Sequence, residues 1–598
     1  MFYLDLFICV TIQVKKELKK KISYLEFFFK NINILKFFIF KINRDTNPFY
    51  SKKFRQYINY NKKKIKKIDS NISKSKKEIL VESFINQSAY ILSNGIISFY
   101  LKKIFKENIS SIIREGDIKS EVIFRSFGVK KFFYYKNQSF LKKIIYSYKA
   151  LKFLGKRDDI KSIINLKYKK VNLGLTAYDS YIRYVGNPTL KKINLEFITF
   201  ISEALYACDY FENLIKKNNF CKLVQSETSF VPLSCLFQKS LQNKIEVFSR
   251  FGKEKFTVRK YNSLKQCFSE RGRISQKLFD IINKNYKSKS LKVANKIQKQ
   301  KLKLGSFGMD ITMYKLKKNS LGKKKIEIIE SKKNNNQKTI IVDKNYIRKL
   351  FNWKEKRISV LFLSYLIDGN FPFGYRNNFK DTYQWTSFIL NKIKKIKNVN
   401  WIIKDHPIAK VYGQEPKVNF EKKINYLMNN FSHIKRWPRN FSNTSLLKVA
   451  DVALTSSGTI GIEYPAYGVQ TVFTEKSSYS NLNFMKMIKT KKNIIYKINN
   501  LNNVKKPSKK FINQCKQYLF IRESLLGVKS SLLPDYIASR NIIDDDFWVQ
   551  CIKKISNYSL SKDPFFEMFS KQIFYNSRHT INYKVINFKK LKFNDLND

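Results

Sequence analysis

Histidine and cysteine are scarce in this chain, and neither occurs in a pattern that holds a metal ion. The 598 residues include three His and seven Cys, with no CxxC pair and no His at ligand spacing from a Cys. A structural zinc site needs several such ligands in closely spaced pairs. The sequence therefore predicts no metal site and no bound cofactor, and its scattered thiols are typical of a reducing cytosol.

Long apolar runs are missing as well. The opening segment MFYLDLFICVTIQV is short, contains Asp5, and has neither a preceding basic region nor a clear small-residue cleavage site. The stretch 27–40 is interrupted by Lys30 and Lys36, whereas a membrane-spanning helix needs roughly 18 or more consecutive apolar residues. We expect neither a signal peptide nor a spanning helix, so that any membrane contact is peripheral.

Acidic residues are few, because 45 Asp+Glu stand against 117 Lys+Arg and give a net charge of +72. Such a charge favours anionic partners, namely nucleic acid, anionic lipid or phosphorylated small molecules. Lys accompanies heavy use of Ile, Asn, Phe and Tyr, as in AT-rich coding sequences, so much of the excess belongs on solvated faces. Zinc-finger, RRM, KH and helix-turn-helix signatures are absent, and we expect no specific nucleic-acid partner.

Composition and the alternation of β-like with helix-like runs divide the chain into segments. Hydrophobic residues make up 43% of the sequence, enough for sizeable cores, and the length exceeds what one core normally supports. We predict a basic Lys- and Phe-rich extension, an N-terminal Rossmann-like acceptor domain, a polar linker, a C-terminal Rossmann-like donor domain and a helical tail. The respective boundaries are 1–75, 76–310, 311–350, 351–530 and 531–598.

Both predicted domains alternate β-like runs with longer apolar-periodic segments, as βαβ units do. In the first, the β-like runs include EILVES and EVIFRSFG, and the clearest unit is strand 222–225, helix 230–241 and strand 245–249. In the second, the predicted strands lie in RISVLFLSYLIDG, NWIIKDHP, KVADVALTSS and VQTVFTE. This pattern predicts an α/β fold of the GT-B plan, with two Rossmann-like domains facing across a cleft and ligands at the carboxyl ends of the strands.

A histidine follows one of these predicted strands. NWIIKDHP places His406 and Pro407 just past a β-like run, because Pro407 cannot continue a strand ladder. At a strand end the imidazole points into the predicted cleft, where it can donate a hydrogen bond to a nucleotide phosphate. A structural or merely exposed histidine is the plainer alternative.

A turn of small residues follows another predicted strand, in ADVALTSSGTIGIEY. Small hydroxyl residues and glycine at a helix start let an anion approach unpaired backbone N–H groups. Glu463 stands about one turn into the following helix, where its carboxylate can reach ribose hydroxyls. Ordinary helix capping is the structural alternative for both features. The predicted donor-binding turn consists of Ser456, Ser457, Gly458 and Thr459.

The histidine-proline pair and the later Ser turn resemble the donor site of bacterial capsule-polysaccharide transferases of the GT-B type. They are similar to the motifs of the capsule Kdo transferases and the bacterial sialyl- and polysialyltransferases. The resemblance implies that His406, Ser456, Ser457 and Thr459 hold the phosphate and cytidine of a CMP-linked sugar. Two further phrases, NLGLTAYDSYIRY and LIDGNFPFGYRNNFKDTYQW, resemble segments of surface-carbohydrate biosynthesis proteins.

Glycosyl transfer needs a carboxylate that takes the acceptor proton, and the first domain offers two candidates. Asp179 stands in YDSYIR with Arg183 one helical turn later, and Glu227 stands in QSETSF. We expect both carboxylates near strand ends that face the cleft, with Asp179 as the preferred base. Arg183, Glu227 and Asp368 are the predicted acceptor contacts. Turn, N-cap and surface-pair roles are the structural alternatives, as they are for Asp381.

Together these features predict a metal-independent glycosyltransferase of surface or capsular polysaccharide synthesis. Its expected partners are a nucleotide-sugar donor and a glycan or lipid-linked acceptor, and its expected place is the cytoplasm. A peripheral contact of the basic extension with the anionic inner face of the plasma membrane is left open. A CDP-glycerol-type polyol-phosphate transferase shares the plan and is an alternative. A basic nucleic-acid-binding protein and a noncatalytic scaffold are alternatives from other classes.

Overall fold

The structure is a computed structural model. It describes residues 51–69, 75–251, 257–303, 341–374, 378–406, 416–438, 440–534 and 545–585, and the backbone alone of 314–318 and 324–328. Two parallel sheets with helices on both faces dominate it. The expected α/β fold with two Rossmann-like domains is confirmed.

The first domain contains a six-stranded sheet in the order β3-β2-β1-β4-β5-β6. Neighbouring strands are parallel except β5 and β6, which are antiparallel. The strand order reverses between β1 and β4, and ligands of such sheets gather at the carboxyl ends of the strands at this switch point. The strands are β1 (Glu78–Ser83), β2 (Asn108–Arg114), β3 (Lys131–Tyr135), β4 (Phe220–Gln225), β5 (Glu246–Phe251) and β6 (Thr257–Tyr261).

Helices connect these strands and cover both faces of the sheet. Apolar clusters on the two faces contain Leu80 and Ile112 on one side and Ile79 and Val81 on the other, because successive strand residues alternate in direction. The helices are α1 (Lys52–Ile68), α2 (Ser88–Phe105), α3 (Ile118–Ser126), α4 (Phe140–Leu154), α5 (Ile160–Ile164), α6 (Leu173–Val185), α7 (Leu195–Lys216) and α8 (Leu233–Gln242). The next two helices, α9 (Gln276–Asn285) and α10 (Lys287–Lys303), pack instead against the second domain, where Phe279 and Ala294 are buried in one cluster with Leu519.

A parallel five-stranded sheet in the order β11-β10-β9-β12-β13 forms the second domain. Its order reverses between β9 and β12, so both sheets have the same arrangement about their first strand. A separate antiparallel hairpin, β7 (Tyr314–Lys318) with β8 (Lys324–Ile328), lies in the predicted linker. The strands of the sheet are β9 (Ile358–Phe362), β10 (Asn400–Lys404), β11 (Ile434–Arg436), β12 (Val452–Thr455) and β13 (Gln470–Phe473).

Helices also flank the second sheet and form the end of the described chain. Buried Trp385 and Trp401 lie in the cluster on one face, and Trp437 lies in the cluster on the other. The helices are α11 (Lys344–Leu350), α12 (Thr382–Ile393), α13 (Glu421–Asn430), α14 (Ser445–Val449), α15 (Ile460–Ala466), α16 (Lys491–Asn499), α17 (Lys509–Phe520), which continues into a π-helical turn (Ile521–Leu525), α18 (Asp545–Ser556) and α19 (Pro564–Phe574).

The chain returns to the first sheet after the second domain. Trp548 of α18 and Phe565 of α19 are fully buried in the same cluster as Ile79 and Val81 of β1. Residues 578–580 also bond to β6, where the amide of Lys260 donates to the carbonyl of Arg578 at 2.8 Å. Residues on both sides of the second domain therefore build the first domain.

Most predicted elements are present where the sequence placed them. The unit predicted as strand 222–225, helix 230–241 and strand 245–249 is observed as β4, α8 and β5. The β-like reading of EVIFRSFG was wrong, because that segment lies in and just after α3. The Asp117 side chain accepts from the amide of Ser120 and caps this helix, and the neighbouring strand is β2.

The domain boundaries near 75, 310, 350 and 530 stay predictions. Residues 1–50 and 586–598, most of the linker, and a few loops lie outside the described residues. Within the described part, α1 of the predicted extension packs into the first domain, since Phe54, Tyr57 and Ile65 are buried in its core. Among the described helices, none has the length and apolarity to cross a membrane.

Replacing Phe54 by Ala tests whether α1 is part of the first domain. Its ring lies 4.7 Å from that of Trp548 in an edge-on contact and is fully buried, so we expect the free energy of unfolding to fall by about 3–5 kcal/mol. Tyr60→Ala, at an exposed tyrosine of the same helix, serves as the control and should change it by less than about 0.5 kcal/mol. Equal effects in chemical denaturation would contradict this packing.

Candidate functional site

Loops at the carboxyl edges of the two sheets meet, and we call the region between these two edges the cleft. On one side lies the loop after β4, residues 226–232, and on the other the loop after β9, residues 363–374. The two loops are in contact at Gly369. A Cβ atom added there would lie only 2.9 Å from the Phe230 ring and 3.0 Å from Asp179 Oδ2. Glycine at 369 permits this close approach of the backbone. The cleft therefore lies at the switch points of both sheets.

His406 lies on the second-domain wall of the cleft, just past the carboxyl end of β10. The turn at Ser456 follows β12, and both strands pair with β9. The predicted placement of these two features at one edge of the sheet is confirmed. The Tyr365 ring from the loop after β9 stacks on the His406 ring, with 6.2 Å between centroids and 29° between planes. Pro407 lies outside the described residues.

The His406 imidazole is neutral at physiological pH. Burial, followed by the nearby Lys404 ammonium, lowers its pKa to about 4. A neutral imidazole keeps one N–H donor and brings no positive charge. The other two histidines do not reach the cleft: His433 Nε2 lies 3.2 Å from the Ile393 carbonyl, and His579 Nε2 lies 3.0 Å from the Arg271 carbonyl.

The Ser turn is held in shape by hydrogen bonds to its backbone. The Ser456 carbonyl accepts from the amides of Thr474 and Glu475, at 3.0 Å each, and the Tyr479 hydroxyl donates to the Gly458 carbonyl at 2.6 Å. Ser456 is fully buried. The half-buried members of the turn, which can meet a ligand, are Ser457, Gly458 and Thr459.

Glu463 lies one turn into α15, as predicted, and is buried. Its carboxylate is close to two tyrosines. Burial first and the Glu463 charge second raise the pKa of Tyr464 and of Tyr467. The predicted ribose contact of Glu463 stays a prediction.

Asp179 lies in the middle of α6, so the expectation that it stands near a strand end was wrong. The segment 173–182 is buried along its whole length and forms a helix between the first domain and the loop after β9. The Asp179 carboxylate is fully buried, and its Oδ2 accepts from the amides of Asn370 at 2.6 Å and Phe371 at 2.7 Å. This geometry joins the two domains.

The residue before it makes a second link between the domains. The Tyr178 hydroxyl donates to Asp381 Oδ2 at 2.6 Å, and the Thr189 hydroxyl donates to the same oxygen at 2.6 Å. Asp381 Oδ1 accepts from the amide of Gln384 and caps α12, the structural role that the sequence offered for it. We call the contacts of Tyr178 and Asp179 with Asn370, Phe371 and Asp381 the interdomain clasp.

Arg183 joins the predicted donor and acceptor sides. It lies one turn after Asp179 on α6, as expected, and its guanidinium carbon is 5.4 Å from the centre of the Tyr365 ring. Arg183, Tyr365 and His406 therefore form one row across the cleft. Asp368 is exposed in the same loop, and its Oδ1 accepts from the amide of Gly369 at 3.1 Å.

Glu227 follows the carboxyl end of β4, where the sequence placed it. Its Oε1 accepts from the amides of Thr228 at 2.8 Å and Ser229 at 3.0 Å. Its Oε2 pairs with Arg271 at 3.1 Å, and the side chain is partly exposed. The carboxylate is thus both fixed in place and accessible from the cleft.

Sequence reasoning missed Tyr365 and Glu82. Glu82 stands near the carboxyl end of β1 and is fully buried, with its two oxygens accepting from the amides of Phe84 at 2.7 Å and Ser226 at 2.8 Å. Burial raises its pKa to about 7 against the lowering effect of these two hydrogen bonds. An acidic residue inside the apolar run EILVES was the available signal. In the described part of the chain, no cluster of His, Cys, Asp and Glu is arranged to hold a metal.

Removing the Asp179 carboxylate should loosen the clasp. Asp179→Ala leaves two buried amides without their acceptor, so we expect the free energy of unfolding to fall by about 3 kcal/mol or more. Asp179→Asn retains an acceptor oxygen and should lose about 1 kcal/mol. Urea denaturation checks both, with Asp368→Ala in the neighbouring exposed loop as the control. Equal losses for Asp179→Ala and Asp368→Ala would contradict the clasp.

Glu82 predicts a pH dependence of stability. Its pKa is higher in the folded protein, about 7, than the ordinary value of 4.5, so the folded state binds the extra proton between these values. The contribution is fully present below the ordinary pKa and is lost as pH rises through about 7. Glu82→Gln should therefore lack this part of the decline in unfolding free energy. Parallel curves for the two proteins in urea titrations at several pH values would contradict the assignment.

Comparison with known proteins gives likenesses of structure alone. No protein-family model matches the chain, and no curated protein matches it. Several solved structures resemble it, and the three described below are near one-tenth identity. KpsC of Thermosulfurimonas dismutans, a beta Kdo 2,4 transferase, is 11% identical, covering 50% of this chain and 79% of that one, with a TM-score of 0.27.

The other two structures have similarly low sequence identities and TM-scores. The N-terminal domain of Candida albicans trehalose-6-phosphate phosphatase is 10% identical, covers 82% of this chain and 98% of that one, and has a TM-score of 0.28. A glycosyltransferase from Rickettsia africae is 9% identical, with 81% and 100% covered and a TM-score of 0.23. Sequence identities and TM-scores this low support no conclusion about activity. The fold assignment rests on the strand order of the two sheets.

Proposed function

We propose that this protein is a glycosyltransferase that moves a sugar from a nucleotide-activated donor to a glycan or glycolipid acceptor in surface-polysaccharide synthesis. The observation that carries the proposal is the row of Arg183, Tyr365 and His406 across the cleft, beside the Ser turn. It brings groups from both domains to the carboxyl edges of both sheets, where such sheets bind ligands. Six described cysteines are free thiols, which supports a cytoplasmic location.

The second-domain wall suits the departing nucleotide. When the bond between sugar and phosphate breaks, negative charge grows on the phosphate, and donors aimed at it lower the barrier. The neutral His406 imidazole supplies an N–H donor, and the backbone and hydroxyl groups of Ser457 to Thr459 supply others. The resemblance of these motifs to those of capsule Kdo transferases makes a CMP-linked sugar the first donor to test.

The first-domain wall suits the acceptor. Arg183 supplies a positive charge at the first-domain end of the row, and Glu227 of the same wall is partly exposed. Asp368 is exposed in the facing loop after β9. One of these two carboxylates takes the acceptor proton in this proposal. Asp179 is assigned to the clasp, because its carboxylate is buried and accepts two amides of the other domain. It positions the loop that carries Tyr365.

A ligand panel and a pair of histidine variants test the proposal. Binding of the correct nucleotide to the folded state raises the midpoint of thermal unfolding. Among CMP, CDP, UDP, GDP and their sugars, we therefore expect this midpoint to rise only with the compounds that carry the correct base. With the donor so identified, His406→Ala should lower turnover by about 10²-fold, as loss of a donor to the transition state does. His406→Gln, which keeps an N–H donor, should retain part of that activity.

His433→Gln provides the matched control. His433 precedes β11 at the opposite edge of the same sheet and contacts the Ile393 carbonyl, so its replacement should affect stability and leave turnover unchanged. Glu227→Gln and Asp368→Asn then identify which carboxylate acts as the base, since that variant alone should lose most turnover with donor binding intact. Full activity of His406→Ala, or no shift with any nucleotide, would overturn the proposed function.

A further inference from the structure

Helix α4 carries large apolar side chains on its outer surface. Leu141, Ile145 and Tyr148 are 70%, 51% and 56% exposed. Residues three and four apart are neighbours on one face of a helix, so these three side chains form a continuous stripe. The opposite face packs into the domain, where the Tyr146 hydroxyl donates to Asp209 of α7 at 2.9 Å. We call the three exposed residues the α4 stripe.

The charge around the stripe is positive. Lys142, Lys149 and Lys152 are exposed on the same helix, and its sequence FLKKIIYSYKALKFL contains no acidic residue. Among neighbouring acidic groups, Asp209 lies 3.6 Å from Lys149. Asp158 and Asp159 follow beyond the far end of the helix. A surface of this composition is complementary to an anionic, partly apolar partner.

We propose that the α4 stripe docks this protein on an anionic lipid bilayer. The apolar side chains enter the boundary between headgroups and acyl chains, and the lysines contact lipid phosphates while their stems cover apolar surface. Helix α1, in the predicted basic extension, does not offer such a face. Its residues Phe54, Tyr57 and Ile65 are buried against the first domain, and Tyr60 is exposed without a stripe of apolar neighbours.

Helix α4 begins at the carboxyl edge of the first sheet. It starts shortly after the carboxyl end of the outermost strand β3, so Leu141, in its first turn, lies at the same edge of the sheet as the loop after β4. In this proposal the bilayer therefore lies beside that edge of the sheet. This geometry fits a lipid-linked acceptor, a refinement that rests on the proposed function, whereas bilayer docking itself does not.

Vesicle sedimentation without any donor or acceptor tests the docking. Wild-type protein should sediment with vesicles of phosphatidylglycerol, much less with vesicles of phosphatidylcholine, and less as salt rises. Leu141→Ser/Ile145→Ser should weaken the partition by roughly tenfold or more, because two apolar side chains no longer enter the lipid. Lys142→Gln/Lys152→Gln should weaken it by about tenfold or more, because two cations are removed.

Tyr496→Ser/Lys492→Gln is the matched control. Tyr496 and Lys492 are an exposed tyrosine and lysine on α16 of the second domain, and their replacement should leave the partition unchanged. Unchanged thermal unfolding of each variant shows that loss of binding is not loss of fold. Wild-type protein that stays in the supernatant, or α4 variants that sediment like the wild type, would overturn the proposal. So would a dimer in sedimentation velocity that the α4 substitutions disperse, since it would assign the stripe to a second copy of the chain.

Discussion

The Asp179 carboxylate accepts hydrogen bonds from the Asn370 and Phe371 amides, and the position of the cleft depends on this contact. A carboxylate buried away from water is costly unless donors satisfy it. Here the donors belong to the other domain, so the charge is compensated only when the two domains are together. The Tyr178 hydroxyl adds a second bond across the same boundary, to Asp381. Tyr365 stands five residues before the first of these attachment points, in the loop after β9, so the position of that loop is tied to the contact between the domains.

The two walls of the cleft present different cations at the carboxyl edges of their sheets. On the second-domain wall, burial and the Lys404 ammonium at the end of β10 lower the pKa of His406 to about 4 and keep its imidazole neutral. On the first-domain side lie Arg183 on α6 and the exposed Arg114 at the end of β2.

Periodicity predicted the fold well because the central strands β1, β4, β9, β10 and β12 are short, mostly apolar runs bounded by turns, as in NWIIKDHP and ADVALTSS. It failed at EVIFRSFG, where the Asp117 cap and the packing of α3 outweighed β-propensity. The second-domain wall of the site followed from strand ends alone, which brought His406 and Ser456 to one edge. On the first-domain wall only Glu227 followed in this way, because Asp179 reaches the boundary from a helix. For Glu82 the signal was an acidic residue inside the apolar run EILVES, whereas the position of Tyr365 depends on long-range contacts that leave no local pattern.

The return of α18 and α19 to the first sheet also orders events during synthesis. Trp548 and Phe565 complete the core around Ile79 and Val81, so the first domain lacks part of its interior until those helices have left the ribosome. The strands of the second domain and the helices that pack on them, including α9 and α10, all precede α18 and α19. The second domain can therefore fold earlier, because domains fold as units during translation. Part of the apolar surface of the first sheet is then exposed while the second domain is being synthesised, and the core of the first domain is completed last.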